Sequence, residues 1–332
     1  MPTALFNSFI YRKYTLLVLL GIIVLSMQVN CFAQFDEFQT SRWSVRNWQL
    51  DDGLPDNRIS GIAQTKDGYL WIATRGGLTR FNGTEFEAVP LKHETGVVFN
   101  GYTSMLAASN GAHWLWMSTF RETLLRISRD EFKIYTHADG VPTGELMGMA
   151  DDKSSEVYFL ISGHLYSLTK DHIDRIKLKD PYKDTLSTTL ILDENGVAWC
   201  SLGKEVGTIV HGVFTSKFKV DDEHIVITKA KLGGLWVCSG SHLLRYSEAG
   251  ILSLEYSFES EILPKCLMED SLGAVWLGTD AHGLIRFDGN AIEYVATSQH
   301  AIRCILEDHE GNIWAGTASG GLNRLRLKNH CN

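Results

Sequence analysis

The stretch DGYLWIATRGGLTRFNG, residues 67–83, contains two short apolar segments separated by a Gly-Gly pair. A glycine-rich loop after an apolar segment is typical of phosphate-binding sites, and it is equally typical of a tight turn between two strands. Whether the pattern recurs along the chain decides between these two interpretations. The pattern returns as CLMEDSLGAVWLGTDAHGLIRFDG from Cys266 and as CILEDHEGNIWAGTASGGLNRLRL from Cys304. The stretch is therefore a repeated structural unit.

Weaker copies of the unit lie between these stretches and complete a series of seven. Each copy has one aromatic anchor, and successive anchors are 37 to 45 residues apart: Trp71, Trp116, Tyr158, Trp199, Trp236, Trp276 and Trp314. A period of about 40 residues with several alternating strands per copy is the pattern of a β-propeller. We therefore predict an all-β fold, a single seven-bladed β-propeller of four-stranded blades.

Three copies carry the same turn signal. Asp193, Asp270 and Asp308 each precede a glycine by three residues, the spacing of a type I turn with Asp first and Gly fourth. We predict that these aspartates shape turns and are not catalytic.

The outer strand of the last copy comes from the other end of the chain. An outer strand follows every copy except the last, and the segment WSVRNW from Trp43 has the pattern of these outer strands. We predict that it completes the last blade and closes the ring, so that residues 34–332 form one propeller without an open edge between first and last blades.

Residues 1–33 have the pattern of a signal peptide. Arg12 and Lys13 precede the apolar run TLLVLLGIIVLSM, and the small residues Cys31 and Ala33 precede a cleavage site after Ala33. The run is shorter than the roughly 20 residues that span a bilayer. We predict an exported protein, periplasmic or extracellular, with no transmembrane segment in the mature chain.

The charge and the cysteine content of the sequence limit the kinds of partner and site that we expect. The 39 acidic residues outnumber the 31 basic ones, of which two lie in the signal peptide. This acidic excess argues against nucleic acid as a partner. The five cysteines of the mature chain are an odd number and form no CxxC pair, so we interpret them as small apolar residues. We predict no metal site, disulfide framework or cofactor.

The set GLPDNRISGIAQTKDGYLWIATRGGLTRFNG, EDSLGAVWLGTDAHGLIRFDG and EDHEGNIWAGTASGGLNRL resembles the two-component regulator propeller family. The resemblance implies the sensory region of a receptor, which in that family precedes an immunoglobulin-like domain, a membrane span and a kinase or cyclase. This sequence shows none of these after its repeats. We therefore expect a non-catalytic ligand-sensing or protein-binding module that acts through a separate membrane signalling protein, and a remnant of a longer receptor is a further interpretation.

The candidate site is the channel face, defined here as the face that carries two kinds of loop around the central channel. One kind enters each blade and the other joins its second and third strands. The candidate residues at these places are Arg58, Arg75, Tyr102, Arg121, His224, His242, His282, His300 and Arg303. Converging cations on an acidic protein suit a small anionic molecule or an acidic or sulfated oligosaccharide, whereas the alternative is that these are ordinary solvated loop residues.

An exported lyase is the alternative function. Streptogramin lyases are similar in repeat pattern, and that similarity implies a His and Glu pair with a divalent ion on the channel face. Glu145, His224, Glu261, His282 and His300 could supply such a pair. No HExxH or GxSxG motif occurs in the chain, and similarity of fold alone does not carry an activity.

Overall fold

The computed structural model describes residues 42–89, 102–107, 114–119, 123–128, 131–144, 146–151, 157–169, 171–179, 189–193, 195–211 and 213–328. The predicted signal peptide and Cys331 lie outside these ranges. The chain divides into two compact units, Val45–Arg326 and a small unit of its two ends, Met1–Ser44 with Leu327–Asn332. In the small unit, the backbone amide of Lys328 donates a 2.8 Å hydrogen bond to the carbonyl of Arg42.

The described strands form seven antiparallel sheets of four strands each, six of consecutive strands and one that combines both ends of the fold. We call the six blades 1 to 6 and the last the closing blade, whose strand order is β1-β28-β27-β26. The strand bounds are β1 (Trp43–Trp48); in blade 1 β2 (Ile59–Gln64), β3 (Leu70–Thr74), β4 (Gly77–Phe81) and β5 (Phe86–Ala88); in blade 2 β6 (Tyr102–Ala107), β7 (Trp114–Thr119), β8 (Leu124–Ser128) and β9 (Glu131–Tyr135); in blade 3 β10 (Leu146–Asp151), β11 (Val157–Ile161), β12 (His164–Thr169) and β13 (His172–Arg175); in blade 4 β14 (Leu190–Leu192), β15 (Ala198–Leu202), β16 (Glu205–Val210) and β17 (Val213–Lys219). They continue in blade 5 with β18 (Ile225–Lys229), β19 (Leu235–Ser239), β20 (His242–Tyr246) and β21 (Leu252–Ser257); in blade 6 with β22 (Pro264–Glu269), β23 (Val275–Thr279), β24 (Leu284–Phe287) and β25 (Ile292–Val295); and in the closing blade with β26 (Ile302–Glu307), β27 (Ile313–Thr317) and β28 (Leu322–Leu327). The all-β propeller with four-stranded blades and an N-terminal strand in the last sheet is confirmed.

The second strand of a blade is its most buried part. All five residues of β3, β15, β19, β23 and β27 are buried. Both faces of these strands are covered by neighbouring blades, so their sequences read as continuous apolar runs such as LWVCS rather than as an alternation. Every predicted aromatic anchor lies in a second strand.

The predicted turn aspartates are confirmed and have a second role. The amides of Gly196, Gly273 and Gly311 donate to the carbonyls of Asp193, Asp270 and Asp308, at 3.1, 3.0 and 3.0 Å. Each carboxylate also accepts a hydrogen bond from the indole Nε1 of the tryptophan six residues later, at 3.2, 2.8 and 2.6 Å. Each aspartate therefore closes the turn through its backbone carbonyl and satisfies the indole donor through its carboxylate.

Strand β1 is fixed to the closing blade by side chains. The Asn47 Nδ2 donates to the carbonyls of Gly320 and Leu322, at 2.9 and 3.2 Å. Trp48 stacks on Trp314 with ring centroids 5.3 Å apart, and Phe81 of blade 1 meets Trp48 edge-on at 5.5 Å. The aromatic cluster joins the closing blade to blade 1.

The segments after β1 and β9 adopt the same shape, as their similar sequences predict. Each continues into a short 3-10 helix, Leu50–Asp52 or His137–Asp139, that ends at a glycine with a φ of 100° or 91°. Such a φ favours glycine. Across the described ranges, no helix has the length and apolar character needed to cross a membrane.

Candidate ligand-binding face

The two kinds of loop lie side by side in three of the blades. The amide of Arg75, after β3, donates a 3.2 Å hydrogen bond to the carbonyl of Arg58, before β2. Equivalent bonds join Asp280 to Leu263 at 3.1 Å in blade 6, and Ala318 to Ala301 at 2.9 Å in the closing blade. The backbone thus brings the entering loop against the loop between second and third strands, and their side chains share one face.

Arg58 and Arg75 are two adjacent exposed cations. The Asp56 carboxylate accepts the backbone amide of Arg58 at 2.7 Å, and neither guanidinium makes an ion pair with the described residues. At the equivalent places, the closing blade has Ala301 and Ala318. The fold therefore does not require a cation at these two places, and the paired arginines are specific to blade 1.

Asp280 lies between two cations of neighbouring blades. Its carboxylate is 3.7 Å from the Lys265 Nζ and 3.3 Å from an Arg303 guanidinium nitrogen. All three side chains are partly exposed, with 36 to 42% of their surface accessible. Ion pairs this exposed stabilise weakly, so an anion from solution can compete with Asp280 for Arg303 at small cost.

Lys265 and Arg303 belong to inner strands rather than to loops. Each is the second residue of its strand, β22 or β26, where the pairing register shifts between Pro264 and Cys266 or between Ile302 and Cys304. Such a bulge leaves one residue outside the ladder and redirects its side chain. The bulge therefore presents both cations at the channel end of the strand.

His282 and His300 are neighbours. The amide of His282 donates to the Thr279 Oγ1 at 2.8 Å, which fixes the turn after β23. His300 packs against this turn, since a Cβ added to Gly283 would lie 3.9 Å from the His300 Cδ2. Both histidines are exposed.

His224 and His242 have acidic partners. The Asp222 Oδ1 accepts the backbone amide of His224 at 2.6 Å and lies 3.2 Å from its Nδ1. The amide hydrogen bond from His224 holds the pKa of Asp222 below its ordinary value. The turn before β20 ends at Ser241, so His242 is the first residue of that strand rather than a loop residue. Its Nδ1 is 3.2 Å from the Glu255 Oε1 on the outer strand. Its side chain is engaged with β21.

Two predicted site residues cannot be placed in the same detail. Arg121 lies outside the described residues, as does Glu145. Tyr102 is the first residue of β6 and so lies in a strand rather than a loop.

The channel face carries a cationic group and an acidic group of side chains, which meet at blade 6. Blade 1, blade 6 and the closing blade supply the cations Arg58, Arg75, Lys265 and Arg303. The loops that enter blades 5 and 6 carry acidic residues: Asp221, Asp222, Glu223, Glu259 and Glu261. Sequence reasoning missed Asp280 and this division. The signal for Asp280 is its place after LGT, where blade 1 has Arg75 after IAT.

Metal-ligating side chains do not gather on the described part of the chain. No group of three or more His, Cys, Asp or Glu side chains there has the arrangement of a metal site. The four described cysteines, Cys200, Cys238, Cys266 and Cys304, are free thiols.

The fold and this face define a β-propeller of the kind whose loops surround a central channel. The family model described as "Two component regulator propeller" matches residues 53–76 and 298–319, which confirms the resemblance predicted from the repeats. These stretches contain Arg58 and Arg75 of blade 1 and His300 and Arg303 of the closing blade. A comparison with the sequences of curated proteins finds no match.

Lyases and the extracellular domains of two component systems are among the solved structures that are similar to this chain. A streptogramin B lyase aligns over 86% of this chain and 98% of its own, with 16% identity and a TM-score of 0.71. Virginiamycin B lyase from Staphylococcus aureus aligns over 86% and 100%, with 19% identity and a TM-score of 0.70. The extracellular domain of the hybrid two component system BT3049 from B. thetaiotaomicron, so described, aligns over 86% and 42%, with 17% identity and a TM-score of 0.70. At identities this low, the structural similarity shows a shared fold and nothing further.

Proposed function

We propose that this chain is an exported, non-catalytic ligand-sensing propeller that acts through a separate membrane signalling protein in the periplasm or outside the cell. In this proposal residues 1–33 are a cleaved signal peptide and residues 34–332 are the sensing module. The match to two component regulator propeller repeats supports the sensory class. The extracellular origin of the similar BT3049 domain supports the location.

We further propose that the seven sheets are the blades of one closed ring. Inner strands of successive sheets are neighbours, and β26 of the closing blade neighbours β2 of blade 1. The side chains agree, because Ile59 of blade 1 lies against Gly316 of the closing blade.

The observation that carries the ligand class is the cationic side of the channel face. Of the four cations there, Arg58, Arg75, Lys265 and Arg303, only Lys265 and Arg303 pair with a carboxylate among the described residues, that of Asp280. An excess of guanidinium groups on an acidic protein favours an anionic ligand, because guanidinium binds carboxylate and sulfate with paired hydrogen bonds. We propose an acidic or sulfated oligosaccharide as the ligand class.

Calorimetric titration with acidic, sulfated and neutral oligosaccharides of equal length tests the proposal. We expect an anionic class to bind, and Arg58→Ala, Arg75→Ala and Arg303→Ala each to weaken binding about tenfold, since a hydrogen bond to a charged group contributes about 1.5–3 kcal/mol. Arg245→Ala is the matched control, because its guanidinium stacks on Trp236 at 5.7 Å and donates to the carbonyl of Gly233, in the turn at the other end of the blade. Equal affinity of all three variants and the parent protein would rule out this site.

A lyase is the second candidate, and the adjacency of His282 and His300 favours it. His300 lies beside the turn that carries His282, and imidazoles at these places could hold a divalent ion or provide a general base. Thermal unfolding with Mn²⁺, Zn²⁺ and Mg²⁺ tests the candidate. A saturable rise in Tm that His282→Ala removes would favour the lyase, whereas no rise with any ion would leave it without support.

A further inference from the structure

The closing blade carries three arginines on its outer two strands: Arg46 on β1, and Arg324 and Arg326 on β28. Among the described residues, none of the three makes an ion pair. Three unpaired cations are unexpected in a chain with 39 acidic and 31 basic residues. Two other blades show an arginine at this place with a carboxylate beside it.

Blades 1 and 6 have an arginine on the third strand at the position of Arg324, and each has a carboxylate on the neighbouring outer strand. In blade 1, the Arg80 Nε is 2.7 Å from the Glu87 carboxylate. In blade 6, Arg286 is 3.9 Å from Glu293 and 3.7 Å from Asp288, which follows it by two residues. Blades 2 and 5 also have an arginine at this position, Arg126 or Arg245, and there the residue opposite it on the outer strand is Lys133 or Leu254.

In the closing blade, arginines stand where blade 6 has both carboxylates. Arg326 follows Arg324 by two residues, as Asp288 follows Arg286. Arg46 lies on the outer strand β1, as Glu293 lies on β25. The local charge is therefore reversed, and like charges on neighbouring strands repel each other.

Aromatic rings hold two of the arginines in place despite this repulsion. The guanidinium carbon of Arg324 lies 5.4 Å from the centre of the Trp48 ring and 5.8 Å from that of Trp314. The guanidinium of Arg46 lies 4.6 Å from the centre of the same Trp48 ring. Stacking on indole stabilises a cation while leaving its N–H donors available to a further partner.

Arg324 and Arg326 line a cleft of about 280 Å³ between the closing blade and blade 1. The cleft lies among the turns that follow first and third strands, at the end of the blades opposite the channel face. Two carboxylates also line it, those of Asp308 and Glu310. The Asp308 carboxylate already accepts hydrogen bonds from two backbone amides and from the side chains of Asn312 and Trp314. Its oxygens are therefore occupied, and among the described residues neither Asp308 nor Glu310 makes an ion pair with Arg324 or Arg326.

We propose that this cleft is a second binding site, for a small organic anion of about monosaccharide size. A carboxylate or sulfate of the ligand takes the place that Glu293 and Asp288 hold beside Arg286. Arg324 binds the anion directly, Arg326 adds a second guanidinium, and Arg46 excludes an internal carboxylate that would compete. The site is separate from the channel face and does not depend on the function proposed for it.

Calorimetric titration of the full chain with glucuronate, glucose 6-sulfate and neutral glucose tests the proposal. We expect at least one of the two anions to bind and neutral glucose not to bind. Comparison of glucuronate with glucose 6-sulfate shows whether the site prefers a carboxylate or a sulfate. Arg46→Glu should weaken the anion at least tenfold without lowering the Tm, because the introduced carboxylate pairs with Arg324 as Glu293 pairs with Arg286. Arg326→Gln should weaken it as well.

Arg75→Ala on the channel face is the control that separates the two sites, and it should bind the anion as the parent protein does. Failure of both anions to bind at millimolar concentration would overturn the proposal. So would equal binding of glucose, or parent affinity in Arg46→Glu. Anion binding that Arg75→Ala removes and Arg46→Glu keeps would belong to the channel face and would also overturn it.

Discussion

The side chain of Gln64, the last residue of the inner strand of blade 1, accepts a 2.7 Å hydrogen bond from the backbone amide of His309 in the closing blade. The same contact recurs between other blades: Glu307 accepts from the amide of Ser271, and Glu269 from that of Lys231, each at 2.7 Å. The last side chain of an inner strand therefore reaches the turn of the preceding blade. At the junction of first and last blades, this contact supplements the strand pairing of β1.

Removing the Gln64 side chain should weaken that junction. We expect Gln64→Ala to lower the free energy of unfolding by about 1–3 kcal/mol, because the His309 amide loses its acceptor. Gln64→Glu should keep the stability, since glutamate fills this place at Glu269 and Glu307. Urea unfolding measures both, with the exposed Lys66→Ala as control. A loss for Gln64→Ala no greater than for Lys66→Ala would contradict the contact's role.

The buried turn aspartates should be costly to replace. The Asp270 side chain is 3% exposed and accepts hydrogen bonds from the amides of Leu272 and Ala274 and from the Trp276 indole, at 3.0, 2.8 and 2.8 Å. Asp270→Ala leaves these donors unsatisfied, so we expect a loss of about 2–4 kcal/mol in unfolding free energy. Denaturant unfolding checks the value, and Glu259→Ala, at an exposed position in the segment before the same blade, provides the comparison. Similar losses for the two variants would be evidence against the buried network.

Glycines in the second strands of two blades make room for cysteines. A Cβ on Gly316 would lie 2.6 Å from the Cys304 Sγ and 2.5 Å from a methyl carbon of Ile59. In blade 1 the glycine is on the other strand of the pair: Gly61 on the inner strand lies opposite Ala73 on the second strand. We expect Gly316→Ala to destabilise by about 1–3 kcal/mol, as overpacking does.

The double variant Gly316→Ala with Cys304→Gly reproduces the blade 1 pair and tests this explanation. It should recover part of the loss, because the clash with the thiol is removed while that with Ile59 remains. Thermal unfolding of the single and double variants gives the coupling. An additive loss would show that the two positions do not share one packing space.

Burial should make the thiols of the folded protein unreactive. Burial raises the pKa of Cys238 and of Cys304 to about 12, from an ordinary value of 9.0, and it also raises that of Cys266. The thiolate is the reactive form, so we expect these three thiols to react with a disulfide reagent at pH 8 only after unfolding. Titration of accessible thiols with and without guanidinium measures this in a Cys331→Ser variant, and fast reaction of that folded variant would contradict it.

The same shifts predict a fall in stability at alkaline pH. The folded protein keeps these protons above pH 9, where the unfolded chain loses them, so the stabilisation is complete below about pH 9. It is lost as the pH rises from about 9 towards 12. Urea midpoints at pH 8 and pH 10.5 test the direction, with Cys238→Ala expected to reduce the dependence. A midpoint that rises with pH would contradict it.

Sequence predicted the elements of this fold and the closure by β1, because each repeat carries its own local signals. The alternation, the Asp and Gly spacing and the aromatic anchor all act within one copy. The partners of site residues could not be read in this way. Asp280 meets Arg303 across two blades, and Arg324 meets Trp48 from the other end of the chain, so both relationships depend on the packing of whole sheets. His242 is similar, since its pairing with Glu255 depends on the register of β20 and β21.

The pairing of β1 with β28 also limits the order in which parts of the chain can fold. Asn47 and its carbonyl partner Gly320 are 273 residues apart in the chain, so this contact forms only after nearly all of the polypeptide has become available. Contacts between such distant segments form late, because the ordering of a long intervening chain precedes them. Because synthesis runs from the N-terminus, the segment that completes the final sheet is made first and the segments that receive it are made last. We expect the last sheet to be completed late in folding, and until then the unpaired edge of β28 can pair with strands of other chains.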